Sequence, residues 1–238
     1  MSDVTLTGQT PVPPVPEYVE EHEHHPFLQH HFEDLGQQHE ASTLGMWCFL
    51  TTEILFFGGI LLAYWVYRLA YPEAWSVAST LQNTTLGATN TIVLIISSLT
   101  MALAVREAQL GRRLGIVAML FLTLIFGSCF LGIKMYEYHA HWQEGLFPGS
   151  AWHWNENPAL APKIQLFMTF YWGMTGLHAL HMIIGAGLLL WFMWRAWKDQ
   201  FGPEYYGPVE IMGLYWHFVD IVWIFLFPFL YLIHGHKH

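Results

Sequence analysis

The 238-residue chain is 54% hydrophobic and 17% aromatic but only 11% charged, with a formal charge of −9. Soluble domains carry about a quarter charged residues, and an acidic balance offers no basic face to nucleic acid; disordered, collagen-like and disulfide-stapled classes are excluded by the same composition. The apolar residues are gathered into runs long enough to cross a hydrocarbon core of about 30 Å, so the chain reads as an integral membrane protein.

Residues 1–42 form a polar tail rich in Pro and His, with neither the basic nor the apolar region of a cleavable signal. Pro11–Pro16 is expected to be extended. His22, His24, His25, His30, His31 and His39 form a tract of a kind that can hold metal. The plainer reading is a solvated tail without a dedicated site.

Five apolar runs follow in residues 43–238, near Leu44–Arg68, Ala88–Val105, Leu114–Tyr136, Ile164–Trp194 and Val209–Ile233. In lipid every backbone polar group must be satisfied within its own segment, which makes runs of this length helices. The expected fold is an all-α bundle of five transmembrane helices. Arg106, Arg112, Arg113, Arg195 and Lys198 fall on one side, against Arg68, Lys163 and Lys237 on the other, with Lys134 near that second face. By the positive-inside rule the N-terminus is cytoplasmic and the C-terminus outside. Cys48 and Cys129 read as small buried hydrophobes. Gly58, Gly59, Ser97, Ser98, Gly173, Gly176 and Gly185 are small residues of the kind that let helix backbones approach closely.

An ionisable side chain in mid-membrane costs on the order of 2.5–3.5 kcal/mol on insertion scales, so each is a functional hypothesis. Glu53 lies deep in the first span, His178 and His181 in the fourth, and His217 and Asp220 in the fifth. Both pairs in the last two spans are three residues apart, one helical turn, so His217 is expected to donate to Asp220. The cluster fits four readings: a metal or haem site, a proton relay, a transport site, or a satisfied network that locks helices together. One His-x-x-His is a weak metal signal, and a relay lacks stepping stones to either surface. The network is favoured because paired polar groups are tolerated in lipid while unpaired ones are costly.

Four runs then carry a resemblance: Thr52-Glu53-Ile54-Leu55-Phe56-Phe57, Asn90-Thr91-Ile92-Val93-Leu94-Ile95-Ile96-Ser97-Ser98, Thr175 through Gly185, and Tyr215-Trp216-His217-Phe218-Val219-Asp220-Ile221-Val222-Trp223. With Glu137-Tyr138 at the close of the third span, they resemble subunit III of haem-copper cytochrome c oxidases, in that family's order, from about Leu44 to the C-terminus. The resemblance implies a multi-pass subunit of the bacterial inner membrane with no redox centre and no metal of its own. It would pack on catalytic subunit I, beside the copper-bearing subunit II, with haems and copper held by those partners. It would support proton uptake and active-site stability and bind phospholipid in a cleft between helix groups.

Residue by residue, the resemblance makes Glu53 the family's buried carboxylate, with His178 or His181 as its hydrogen-bond partner. It matches His217 and Asp220 to the last helix's motif, and Arg195 to a lipid-headgroup arginine. Two features depart from the family's fullest form: residues 1–42 cannot supply its first two spans, and Lys134 stands where many relatives have Gln. Lys134 and Glu137 are one turn apart, which predicts an ion pair near the outer interface. The resemblance extends to quinol oxidases and to a protein accompanying nitric oxide reductases, with cytochrome c favoured as donor. A free-standing transporter or metal binder using Glu53 and the histidines is the reading from a different class.

Overall fold

The structure, a computed structural model, describes residues 28–149, 152–154 and 157–232. Among the described residues there are six helices and no strand, and five of the helices are long and apolar enough to cross a membrane. These five are α1 (Leu35–Ala70), α3 (Thr84–Gln109), α4 (Arg113–Gln143), α5 (Ala161–Trp197) and α6 (Gly207–Tyr231). The short α2 (Pro72–Thr80) lies in the connection between α1 and α3.

Helix α1 begins well before the predicted span. Asp34 caps it, its carboxylate accepting from the Gln37 N–H at 2.7 Å, while the Gln37 side chain accepts from the Glu33 N–H at 2.8 Å. The arrangement resembles a capping box, with Asp34 in place of Ser or Thr and with the Gln37 side chain bound to the N–H of the residue before the cap. His39 therefore lies inside a helix, 3.7 Å from the Glu210 carboxylate at the start of α6. His30 and His31 are exposed just ahead of α1, while Pro11–Pro16, His22, His24 and His25 lie outside the described residues.

Pro72 ends α1 and starts α2, because proline cannot continue a helix but suits its first turn. Trp75 of α2 is fully buried between Tyr64 and Phe167, and so fastens α2 to α1 and α5. The α3–α4 turn passes through Gly111 at φ 66°, and a Cβ there would stand 2.9 Å from Pro203. Only glycine meets both demands.

Helices α3, α4, α5 and α6 pack together, and α1 leans against α5 and α6. At the centre of the four-helix group stands Trp216 of α6, fully buried. A Cβ added at Gly127 of α4 or at Gly185 of α5 would lie 2.9 Å from its ring, and its indole N–H donates to Ser97 Oγ of α3 at 3.1 Å. Of the small residues picked out in the sequence, Gly185 and Ser97 thus meet a neighbour closely, whereas Gly58, Gly59, Gly173 and Gly176 face open space. Cys48 and Cys129 are exposed on the outside of the bundle rather than buried. Lipid is apolar, so a thiol in an apolar run is as well placed outside as in.

Candidate functional site

The five buried polar residues predicted to form one network do not form one. They separate into a pair between α1 and α5, a contact between α3 and α6, a lone imidazole and a lone carboxyl.

Glu53 and His181 make the pair, with Oε2 and Nε2 3.2 Å apart. His181 Nδ1 lies 2.8 Å from the Leu177 carbonyl oxygen. A carbonyl can only accept, so Nδ1 carries a hydrogen. A neutral His181 then has a bare Nε2, and a close contact with Glu53 requires one further proton, carried by either the carboxyl or the imidazole. The two residues are a proton-sharing unit. They line a cleft of ≈ 500 Å³ between α1 and α5, with Phe49, Ile184, Leu188 and Tyr215 among its walls. A second cleft of ≈ 460 Å³, lined almost wholly by apolar side chains, separates α1 from α6.

His178 is not a partner of Glu53. One turn from His181, it points into the bundle at 1% exposure, between the rings of Phe130 and Trp223 at 5.3 Å each, and among the described residues neither nitrogen has a hydrogen-bond partner. Nor does His217 donate to Asp220. His217 Nδ1 instead lies 2.7 Å from Ser98 Oγ of α3, and neither oxygen of Asp220, 3% exposed, meets hydrogen-bond geometry with any group. Side chains three apart on a helix lean the same way along the axis, and a neighbouring helix that offers a hydroxyl between them takes the bond.

The Lys134–Glu137 pair is formed, at 2.9 Å, and it is enclosed by the helices: the two residues are 1% and 2% exposed. Lys134 Nζ also donates to Tyr171 OH at 3.1 Å and to Tyr231 OH at 2.8 Å, which uses all three of its hydrogens. Tyr231 OH passes its own hydrogen to Glu137 Oε1 at 2.8 Å. The rings of Tyr138, Tyr171, Trp223 and Tyr231 surround the ammonium with centroids 4.9 to 5.5 Å away. One charge pair thereby ties α4, α5 and α6 together. Sequence spacing finds Lys134 and Glu137; the tyrosines give no signal in sequence, because each is one aromatic among many in an apolar run.

Arg195, in the last turn of α5, donates from Nε to Gln200 at 2.7 Å and lies over the rings of Trp191 and Phe201 at 4.8 and 5.0 Å. No carboxylate pairs with it among the described residues. It stands one turn beyond Phe192, which lines the α1–α5 cleft. Among the described residues no three His, Cys, Asp or Glu side chains are grouped as a metal ion requires.

Comparison with known proteins sets this geometry in context. The family model described as cytochrome c oxidase subunit III matches residues 28–144 and 159–235. Cytochrome c oxidase subunit 3 of Thermostichus vulcanus is 31% identical over 202 residues, which are 84% of this chain and 92% of that one. Quinol oxidase subunit 3 of Bacillus spizizenii is 30% identical over 191 residues, 80% of this chain and 86% of the relative. A heme-copper oxidase subunit I+III of Aeropyrum pernix is 29% identical over 194 residues, 79% of this chain but 22% of that longer one.

Proposed function

Since this chain belongs to the cytochrome c oxidase subunit III family, we propose that it works without a redox centre of its own, packed on the catalytic subunit of a proton-pumping terminal oxidase in a bacterial inner membrane. The observation that carries this is a family match extending over both blocks, 28–144 and 159–235, and so through all five spans. The Aeropyrum pernix relative, named for subunits I and III together, supports subunit I as the neighbour. The copper-bearing subunit II completes the proposed complex. Haems and copper reside in the partners, and the N-terminus faces the cytoplasm.

In this reading the two clefts flanking α1 hold phospholipid chains, which suits their apolar walls. Arg195 then takes an anionic headgroup with the guanidinium hydrogens that Gln200 leaves free. Cytochrome c is the donor we assign. A quinol donor is the second reading, favoured by the Bacillus spizizenii relative at nearly equal identity.

Affinity purification of the chain from native membranes in a mild detergent tests the proposal. A larger multispan protein with a haem signal in the reduced-minus-oxidised spectrum is expected to co-elute. A colourless eluate of this chain alone, under conditions in which a known oxidase stays intact, overturns it. Glu53→Gln separates the proposal from a cation transporter. The amide still donates to His181 Nε2, so the haem spectrum should be unchanged and oxygen reduction within about twofold of wild type, a barrier change of under about 0.5 kcal/mol. A transporter that uses Glu53 would lose coupled transport, and a bleached haem spectrum would count against the subunit reading.

A further inference from the structure

We propose that the groove between α3 and α6 receives a transmembrane helix of the catalytic subunit, which donates a side-chain hydrogen bond to the Asp220 carboxyl. The inference rests on the subunit reading above and adds to it the surface and the contact.

The groove has a volume of ≈ 410 Å³, with Ser98, His217 and Asp220 on its floor and Ile95, Leu99, Ile221 and Ile224 among its walls. Asp220 is 3% exposed and, among the described residues, neither of its oxygens has a hydrogen-bond partner that meets the geometry. The Ser98 hydroxyl stands beside it but is also engaged by His217 at 2.7 Å. Ser98 has one hydrogen to give and a carboxyl has two oxygens, so among the described residues at least one oxygen stays unserved in either protonation state. Such a group is expensive in an apolar medium.

Lipid cannot supply what is missing. Acyl chains carry no donor, and Asp220 lies thirteen residues into α6, about 20 Å along its axis and far from headgroups at that end. The missing partner must be a polar side chain brought to mid-membrane depth on another helix. The walls suit one: Ile95 and Leu99 on α3, and Ile221 and Ile224 on α6, are spaced by single turns and are 44% to 60% exposed. Ser98 and Ala102 between them are small enough to let a backbone come close. The outward face of α5, with Leu180, Ile183 and Leu190, is just as apolar, but no unpartnered carboxyl opens onto it.

The test is photo-crosslinking in the whole oxidase in its own membranes, with p-benzoylphenylalanine at Leu99 or Ile224 and, separately, at Leu190 on α5. Adducts from positions 99 and 224 to the catalytic subunit are expected. In parallel, Asp220→Leu should cut the haem co-purified per chain about tenfold, the loss expected for one hydrogen bond to a carboxyl at a buried contact. Asp220→Asn, which keeps an acceptor oxygen, should hold most of it.

Because Asp220→Leu can fail to fold, the crosslinks are read on chains that retain Asp220. Adducts at 99 and 224 only to lipid, or to a different subunit, overturn the proposal, as does full haem recovery with a folded Asp220→Leu chain. If the wild-type chain brings down no haem, it is the subunit reading that has failed.

Discussion

Replacing Lys134 by Met should destabilise the bundle by about 3–5 kcal/mol, the range for removing one member of a buried ion pair. The Glu137 carboxyl would be left enclosed at 2% exposure with Tyr231 at 2.8 Å and His141 at 4.0 Å as its remaining polar neighbours among the described residues, and the four rings around Nζ would lose the cation they face. Glu137→Gln should cost less than Lys134→Met, because the amide oxygen still accepts from Lys134, although the Tyr231 hydroxyl, which donates to the other oxygen, loses its acceptor. The double change Lys134→Met with Glu137→Leu should recover a large part of the loss, since apolar side chains of similar volume replace buried ion pairs with little penalty. SDS titration followed by near-ultraviolet circular dichroism gives the three values. A double variant no better than Lys134→Met alone would show that the tyrosine ring, rather than charge pairing, holds α4, α5 and α6 together.

The second large effect belongs to Trp216. Trp216→Ala should cost about 3–5 kcal/mol, as for other buried large-to-small changes. Gly127→Val should cost about 1–3 kcal/mol from overpacking, or somewhat more here. The indole cannot step aside. Its far edge already meets the Gly185 backbone, where a Cβ would be 2.9 Å away, and its N–H is held by Ser97. Gly127→Val combined with Trp216→Leu should therefore be more stable than the sum of the single changes by at least about 1 kcal/mol, the coupling expected of residues in contact. Strict additivity would mean that the two positions do not meet.

These two sites differ in how far sequence reaches them. The Lys134–Glu137 pair follows from a spacing of three on a helix, a local property. The cage of Tyr171, Tyr231 and Trp223 is drawn from two other helices, and no local rule connects them. Trp216 lies inside one of the motif runs, yet the glycines it packs against are on α4 and α5, and Gly127 is absent from the small residues that sequence singled out. The ionisable residues behave in the same way. Glu53, His178, His181, His217 and Asp220 are evident as costly groups in apolar runs, but which of them meet is not. His178 and His181 sit one turn apart and face different surroundings, one between aromatic rings and the other against Glu53.

By itself the sequence determined the membrane class, the number and order of the five helical spans and the family, because each rests on run length, local backbone chemistry or motifs in order. It missed the capping pair Asp34–Gln37, which starts α1 early, although that signal was in the letters. The inside and outside of the bundle, and with them every partnership among the polar residues, were decided only by tertiary structure. In a soluble helix the buried face is announced by an apolar stripe against a polar one. Here lipid and neighbouring helices are equally apolar, so Cys129 on the outside and Phe130 in the core read alike until the helices are in place.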